Sequence, residues 1–436
     1  MKIAQLNFEN LSSLKLNYKR ILLSIMYFIS AFTGLISIDL VAGIIFVMMI
    51  ILFFSDEFYL IFPVVLFYHS IFVIPIMNLS LFSTYLIICL LKIIISNKIK
   101  SSRKNITILI IIILYTVLVY SPYDFKNAII LIINFIAIFC YISKFLYNKK
   151  NIIIFFKYYV FACIASFMTG IFTENVMKYD ELLDTGEQLL TLTRWMGTFN
   201  DPNYMGLFFS VGFFAIVTLE IFSKKIKIIL AITLLAMIVS TMSTTAILGI
   251  ILISFIYILL KYKISLKTII LFLTSIGVVI FVFNYGLNNP NATILNTFSQ
   301  RINQKFNALE TNDMKTATTN RTDLAKNHLE YFFSQNIGKQ LFGGNVINAV
   351  AIEKNNQLNE NLAHNEYVDL LLNIGIIGTV IVVGIWLSKL KRDLSIYFKC
   401  NDSLSLSMFI IRMVFLYYCF GLTIFMDIRF FLFYLI

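Results

Sequence analysis

The sequence predicts an all-α polytopic membrane protein with about 12–14 transmembrane helices and one large extracytoplasmic loop carrying short amphipathic helices. Three observations predict it. The chain of 436 residues is 59% hydrophobic and only 13% charged, with a mean hydropathy of +0.85; a soluble domain is nearer a quarter charged. Apolar runs of near-membrane length recur along most of the chain. Lysine and arginine collect in the loops of one side. This composition excludes an ordinary soluble enzyme with a single buried core, and it is too apolar for a disordered chain.

The apolar runs 21–38, 41–54, 58–75, 79–96, 106–121, 128–147 and 152–172 read as helices, as do 204–222, 228–242, 245–260, 268–285, 366–388 and 404–425. An apolar tail, 429–436, follows. Several runs are shorter than the ~20 residues of a full crossing, and 41–54 and the 228–260 pair fit a re-entrant or tilted path. The chain divides into an N-terminal transmembrane bundle over 1–285, a large loop over 286–365 and C-terminal helices over 366–436. Four of the five cysteines, Cys89, Cys140, Cys163 and Cys419, lie in apolar runs, and Cys400 lies in a basic loop. This placement suggests neither a disulfide framework nor a CxxC metal site. The first twenty residues are polar and basic, and the run after them leads into further spans, so no cleavable signal peptide is expected.

Basic residues orient the chain. With a cytoplasmic N-terminus, the inside loops carry Lys2, Lys15, Lys19 and Arg20, then Lys98, Lys100, Arg103 and Lys104, then Lys149 and Lys150. They continue with Lys224, Lys225 and Lys227, then Lys261, Lys263 and Lys267, then Lys389, Lys391 and Arg392. This is a positive-inside pattern. It accounts for the net charge of +12 without nucleic acid. Two polar segments then fall outside. The first, 173–203, is acidic; its Asp180, Glu181 and Asp184 read as solvated loop charge, because no further ligand is spaced to complete a metal shell. The second is the large loop, where 321–335 (RTDLAKNHLEYFFSQ) places Leu324, Leu329, Phe332 and Phe333 at roughly helical spacing, with Asn320 as N-cap.

No P-loop, dinucleotide GxGxxG, HExxH or GxSxG is present. Three outside segments carry the candidate chemistry. The first, Arg194 to Gly206, reads RWMGTFNDPNYMG. It is a tight turn feeding a helix, with Asp201 or Asn200 as cap, Pro202 at the first helical position and Gly206 permitting close packing. Trp195 reads as an interfacial anchor. The second is TNRTD at 319–323 followed by LFGG at 341–344. Arg321 begins a helix there, where the dipole disfavours a cation. The third, AHNEYVD at 363–369, runs into LLLNIG and puts His364 where the large loop re-enters the bilayer. His69 and His328 read as structural.

The set R-x-x-G-T-F-x-D-P-N-x-x-G, N-R-T-D before L-F-G-G, and H-N-E-Y-V-D-L-L-L-N-I-G-I-I-G resembles the superfamily of O-antigen polymerases (Wzy-type) and O-antigen ligases, integral-membrane glycosyltransferases of the GT-C kind. The order and external placement of the motifs match as well. One departure is visible: many relatives carry a Ser-x-x-Arg-like segment in the middle spans, and Ser240 to Thr245 has no arginine.

The resemblance implies a metal-independent, inverting transfer of a polyprenyl-diphosphate-linked oligosaccharide on the extracytoplasmic face of a bacterial plasma (inner) membrane, without a cofactor. Arg194 and Arg321 would bind the diphosphate, since a guanidinium forks onto phosphate oxygens. His364 would be the catalytic base. Gly197, Phe199, Pro202, Asn203, Asn365 and Tyr367 would support the motifs. Asp39, in the first external turn, is a weaker alternative base, with capping as its other reading. The expected partners are the undecaprenyl-diphosphate-linked donor and acceptor, the bilayer, a chain-length regulator and a flippase, with no nucleic acid. Polymerisation of repeat units is favoured because the chain diverges outside the motifs. The alternatives are an O-antigen ligase acting on a lipid A core, and a flippase or transporter for the same carrier. The last should show charges deep in several spans; Arg412, near a helix end, reads as a snorkelling side chain.

Overall fold

The computed structural model describes residues 19–69, 72–74, 79–96, 125–173, 176–184, 189–199, 201–262, 284–289, 293–313, 321–343, 363–422 and 428–436, with isolated positions at 106–117, 270–281, 316 and 318. The expected inside loop 97–105, the caps Asn200 and Asn320, and Gly344 lie outside the described residues.

The helices are α1 (19–33), α2 (Ile38–Leu52), α3 (Phe62–Phe67), α4 (Leu81–Ser96), α5 (Phe125–Phe145), α6 (Lys149–Phe172), α7 (Pro202–Thr218) and α8 (Lys224–Ser240). They continue as α9 (Thr244–Tyr262), α10 (Thr293–Glu310), α11 (Arg321–Ser334), α12 (Ile337–Phe342), α13 (Glu366–Cys400), α14 (Ser403–Tyr418) and α15 (Ile428–Leu435). Among the described residues α6, α9 and α13 are long and apolar enough to cross a membrane, and several shorter apolar helices accompany them. A predominantly helical membrane protein is therefore what this chain builds.

The faces of α1 show why. Leu23, Tyr27 and Ala31 point inward and are fully buried, while Ile21, Ile25 and Ile29 point outward and are exposed. A soluble helix would be polar on that second face. An apolar residue on both faces suits a helix with protein on one side and lipid on the other.

The centre of the bundle is α7, which packs against α6, α8, α9 and α14. Nearly all of its residues are buried. Its polar groups are matched across helices: Tyr159 Oη donates to the Phe208 carbonyl at 2.9 Å, Ser210 Oγ pairs with Tyr418 Oη at 3.1 Å, and Thr218 Oγ1 donates to Ser407 Oγ at 2.6 Å. Hydrogen bonds and close contact at small residues replace the hydrophobic drive that lipid does not supply. Gly206 meets α9 in this way: a β-carbon on it would lie 2.8 Å from the Ala246 β-carbon.

Three expectations change. The run 58–75 is not one helix. A 3₁₀ turn at Asp56–Ile61 gives way to α3, which ends at Phe67, and Phe72–Ile74 pairs antiparallel with Leu79–Ser80. Pro63 starts a helix well and cannot continue one; run length alone does not reveal that. The segment 173–203, read as a loop, holds an antiparallel hairpin of Val176–Asp184 and Leu189–Trp195, where threonine alternates with leucine over 190–193 as β-structure favours. Arg412 does not snorkel. It is fully buried in α14 and ion-paired with Asp393 of α13.

Candidate functional site

The first motif folds as a turn at the head of α7. Asp201 caps the helix, its carboxylate accepting from the Asn203 backbone N–H at 2.5 Å, and Pro202 is the first helical residue. Gly197 packs on Gly170 of α6 so closely that a β-carbon on Gly170 would lie 2.5 Å from the Gly197 α-carbon. Thr198 Oγ1 donates to the Phe67 carbonyl at 2.7 Å. Phe199 is buried and stacks on Phe208 at 5.2 Å. Trp195 lies against Phe167, ring centres 6.0 Å apart.

This turn holds Arg194 inward. Arg194 is 6% exposed. Its Nε donates to the Thr241 carbonyl at 3.1 Å and its Nη2 to Asn203 Oδ1 at 3.2 Å. The same Asn203 oxygen accepts from Ser243 Oγ at 2.7 Å. Ser243 in turn caps α9, accepting from the Ala246 N–H at 3.2 Å. The turn between α8 and α9 is thus bound to the first motif. Met242 within it takes a left-handed backbone, φ 51°, an uncommon choice for a side chain of that size.

The second motif arrives at the other end of the same turn. Arg321 is the first residue of α11. A β-carbon on Gly421 would lie 2.8 Å from Arg321 Nη1 and 3.7 Å from Thr245 Oγ1. The third motif meets the loop after α14 two residues earlier, where the Glu366 N–H donates to the Cys419 carbonyl at 2.8 Å. Asn365 caps α13 through the Tyr367 and Val368 N–H groups, and Tyr367 Oη donates to the Leu416 carbonyl at 3.1 Å. His364 precedes the cap and is half-buried, at φ 49°. Strained backbone of this kind collects at working sites.

The second and third motifs also touch directly. α12 ends at Gly343 against a kink in α13 at Gly375, where φ is 66° and ψ −178°. An L-residue rarely adopts that conformation, and a β-carbon on Gly375 would lie 2.5 Å from the Gly343 nitrogen. The predicted apolar stripe on α11 is corrected in one place. Phe332 is buried with Ala363, Val368 and Leu372, and Leu329 packs on them, but Phe333 is exposed. A helix advances 100° per residue, so adjacent phenylalanines cannot share a narrow face. His328 is buried, with Nδ1 2.8 Å from the Leu324 carbonyl.

Asp39 stands apart. It is exposed in the first turn of α2, where a negative charge suits the dipole, and the cap is Ser37, whose hydroxyl accepts from the Leu40 N–H. The capping role expected of Asp39 is therefore corrected.

Residues 229–383 match the family model described as O-Antigen ligase. The match bears out the resemblance to the O-antigen ligase and polymerase superfamily. No curated protein matches the chain. The segment similar to O-antigen ligases covers the 241–245 turn, Arg321, His364 and the Gly375 kink, and it ends before α14; the Arg194 motif lies outside it. The match supports a role in polysaccharide assembly.

Sequence reasoning missed two cations. Lys305 Nζ of α10 lies 3.1 Å from Thr244 Oγ1. The Arg429 guanidinium is buried over Phe199 at 5.2 Å, Phe208 at 5.2 Å and Tyr204 at 5.7 Å. An ionisable group inside the apolar run 429–436 was the available signal. Among the described residues, no group of histidine, cysteine and carboxylate side chains could hold a metal ion.

Proposed function

We propose that this protein is a polymerase of polyprenyl-diphosphate-linked oligosaccharide repeat units, acting by inverting glycosyl transfer on the extracytoplasmic face of a bacterial plasma membrane. The observation that carries the reading is the meeting of all three motifs around two short turns, 241–245 and 419–421. Arg194 and Arg321 bind the donor diphosphate from opposite ends of the first turn. Each guanidinium offers a planar fork of donors that remains charged at neutral pH. They hold the leaving group and stabilise the negative charge that grows on it as the sugar–oxygen bond lengthens.

His364 takes the proton from the acceptor hydroxyl as its oxygen attacks the anomeric carbon. The carbon–phosphate oxygen bond breaks, and the diphosphate leaves with that electron pair. Attack opposite the leaving group inverts the anomeric centre. The position of His364 just outside the capped end of α13, where the third motif meets the loop after α14, supports this role.

Surface polysaccharide from a deletion strain, run on a gel, tests the reading. Single repeat units on the acceptor indicate a lost polymerase. Accumulated lipid-linked polymer indicates a lost ligase, the second reading, and would overturn the first. Cysteine labelling on whole cells tests the sidedness: reagent should reach position 315 and not position 100. The buried Asp393–Arg412 pair is the feature a carrier flippase would use, but its two members lie on helices adjacent in sequence.

A further inference from the structure

The 241–245 turn meets a third cation besides the two arginines. Lys305 reaches Thr244 Oγ1 at 3.1 Å, between Ser243, which hydrogen-bonds the Arg194 partner Asn203, and Thr245, which faces Gly421 beside Arg321. Its helix explains how it gets there. On α10 Lys305 is half-buried and three residues before the buried Ala308, on the same face. Phe306, 100° further round the helix, is exposed. That face carries Lys305 to the 241–245 turn. Three positive side chains drawn to five consecutive residues repel one another, and an anion with several oxygens relieves that repulsion.

The geometry points to Lys305 as a third phosphate-binding cation of this site, its ammonium taking an oxygen of the donor's diphosphate beside Arg194 and Arg321. The inference rests on the diphosphate reading above. An ammonium binds as a point charge without the geometric demand of a guanidinium fork, so it can follow a phosphate that shifts as the leaving group departs.

The test uses the full chain in nanodiscs and two probes, undecaprenyl diphosphate and undecaprenyl monophosphate. Lys305→Met and Lys305→Gln keep much of the stem and remove the charge; Lys305→Arg restores charge. Both neutral variants should bind the diphosphate lipid about tenfold or more weakly than wild type, the size of one lost charged hydrogen bond, with a smaller loss for the monophosphate. Lys305→Arg should recover most of the difference. An equal loss for both probes would mean a merely structural lysine and overturn the inference. So would wild-type diphosphate binding in the neutral variants while Arg321→Ala has lost it; the diphosphate reading would then stand alone. If the wild-type protein binds both lipids equally, the diphosphate reading itself fails, and this inference with it.

Discussion

Gly343 and Gly375 are in backbone contact. The nitrogen of the first lies 2.5 Å from where a β-carbon of the second would be, and a β-carbon on Gly343 would overlap the Asn373 carbonyl. This contact seats α12 in the kink of α13. It ties the segment after Arg321 to the helix that begins behind His364.

Gly375→Ala should therefore disrupt the site without touching a charged residue. A side chain at φ 66°, ψ −178° costs about 1–3 kcal/mol, and overlap with backbone adds to it. A fall in thermal stability in detergent, with loss of polymer, is the expected outcome. A variant with the wild-type melting curve would show that the two helices can separate freely.

Arg194→Lys should fail to replace arginine. Lysine keeps the charge but cannot serve the Thr241 carbonyl from one nitrogen and Asn203 Oδ1 from another. Polymer formation should fall about tenfold or more in this variant and in Arg321→Ala. Full activity in both would reduce these residues to structural charges. Asn203→Ala, which removes the oxygen shared by Arg194 and Ser243, should impair donor binding in a titration with undecaprenyl diphosphate.

His364→Asn separates chemistry from strain. Asparagine tolerates positive φ better than most residues, so the turn before α13 survives while the base is lost. Turnover should fall by about 10²–10⁴ with donor binding little changed, because the base acts in the transition state. Polymerisation at the wild-type rate would leave His364 as part of the turn, and the base would have to be sought elsewhere.

Asp402 offers a pH-dependent test of the fold. It caps α14 and pairs with Lys149 at the head of α6. Burial alone would raise its carboxyl, but hydrogen bonds from Lys149 and Ser405 outweigh that and hold it below the ordinary range. Its contribution is thus fully present above the unfolded value, about 3.9, and is lost as pH falls through the lower folded value. Asp402→Ala should lower stability by about 1 kcal/mol at pH 7. The gap from wild type should narrow on melting below pH 4; a gap of constant size would remove the charge from the explanation.

The helices and the three motifs were legible in the sequence because each is local. Apolar runs mark α6, α9 and α13, and Asp201-Pro202 announces its own helix start. What joins the motifs was not legible. Arg194 bonds a residue 47 positions away, and Arg321 lies by Gly421 on a different helix end. The stretch 240–245 drew notice only for lacking an arginine, yet it is where the cations gather. Lys305 looked like any lysine in a polar loop, since no spacing reveals which face of α10 turns inward. Arg412 looked like a snorkelling residue because its partner, Asp393, belongs to the preceding helix.

That pair bears on how the protein is made. An arginine at mid-helix costs about 2.5–3.5 kcal/mol to transfer into lipid on the insertion scale, and an aspartate a similar amount. Asp393 is synthesised first and Arg412 second, on α13 and α14, with only Asn401 and Asp402 between the helices. Asp393 also pairs with its neighbour Arg392 at 2.9 Å, so Arg412 is the charge that would enter hydrocarbon uncompensated if its helix were released singly. Released as a hairpin, they enter already neutralised. Insertion of α13 and α14 as one hairpin lets Arg412 meet Asp393 before it meets lipid, so the order of synthesis becomes part of what this sequence encodes.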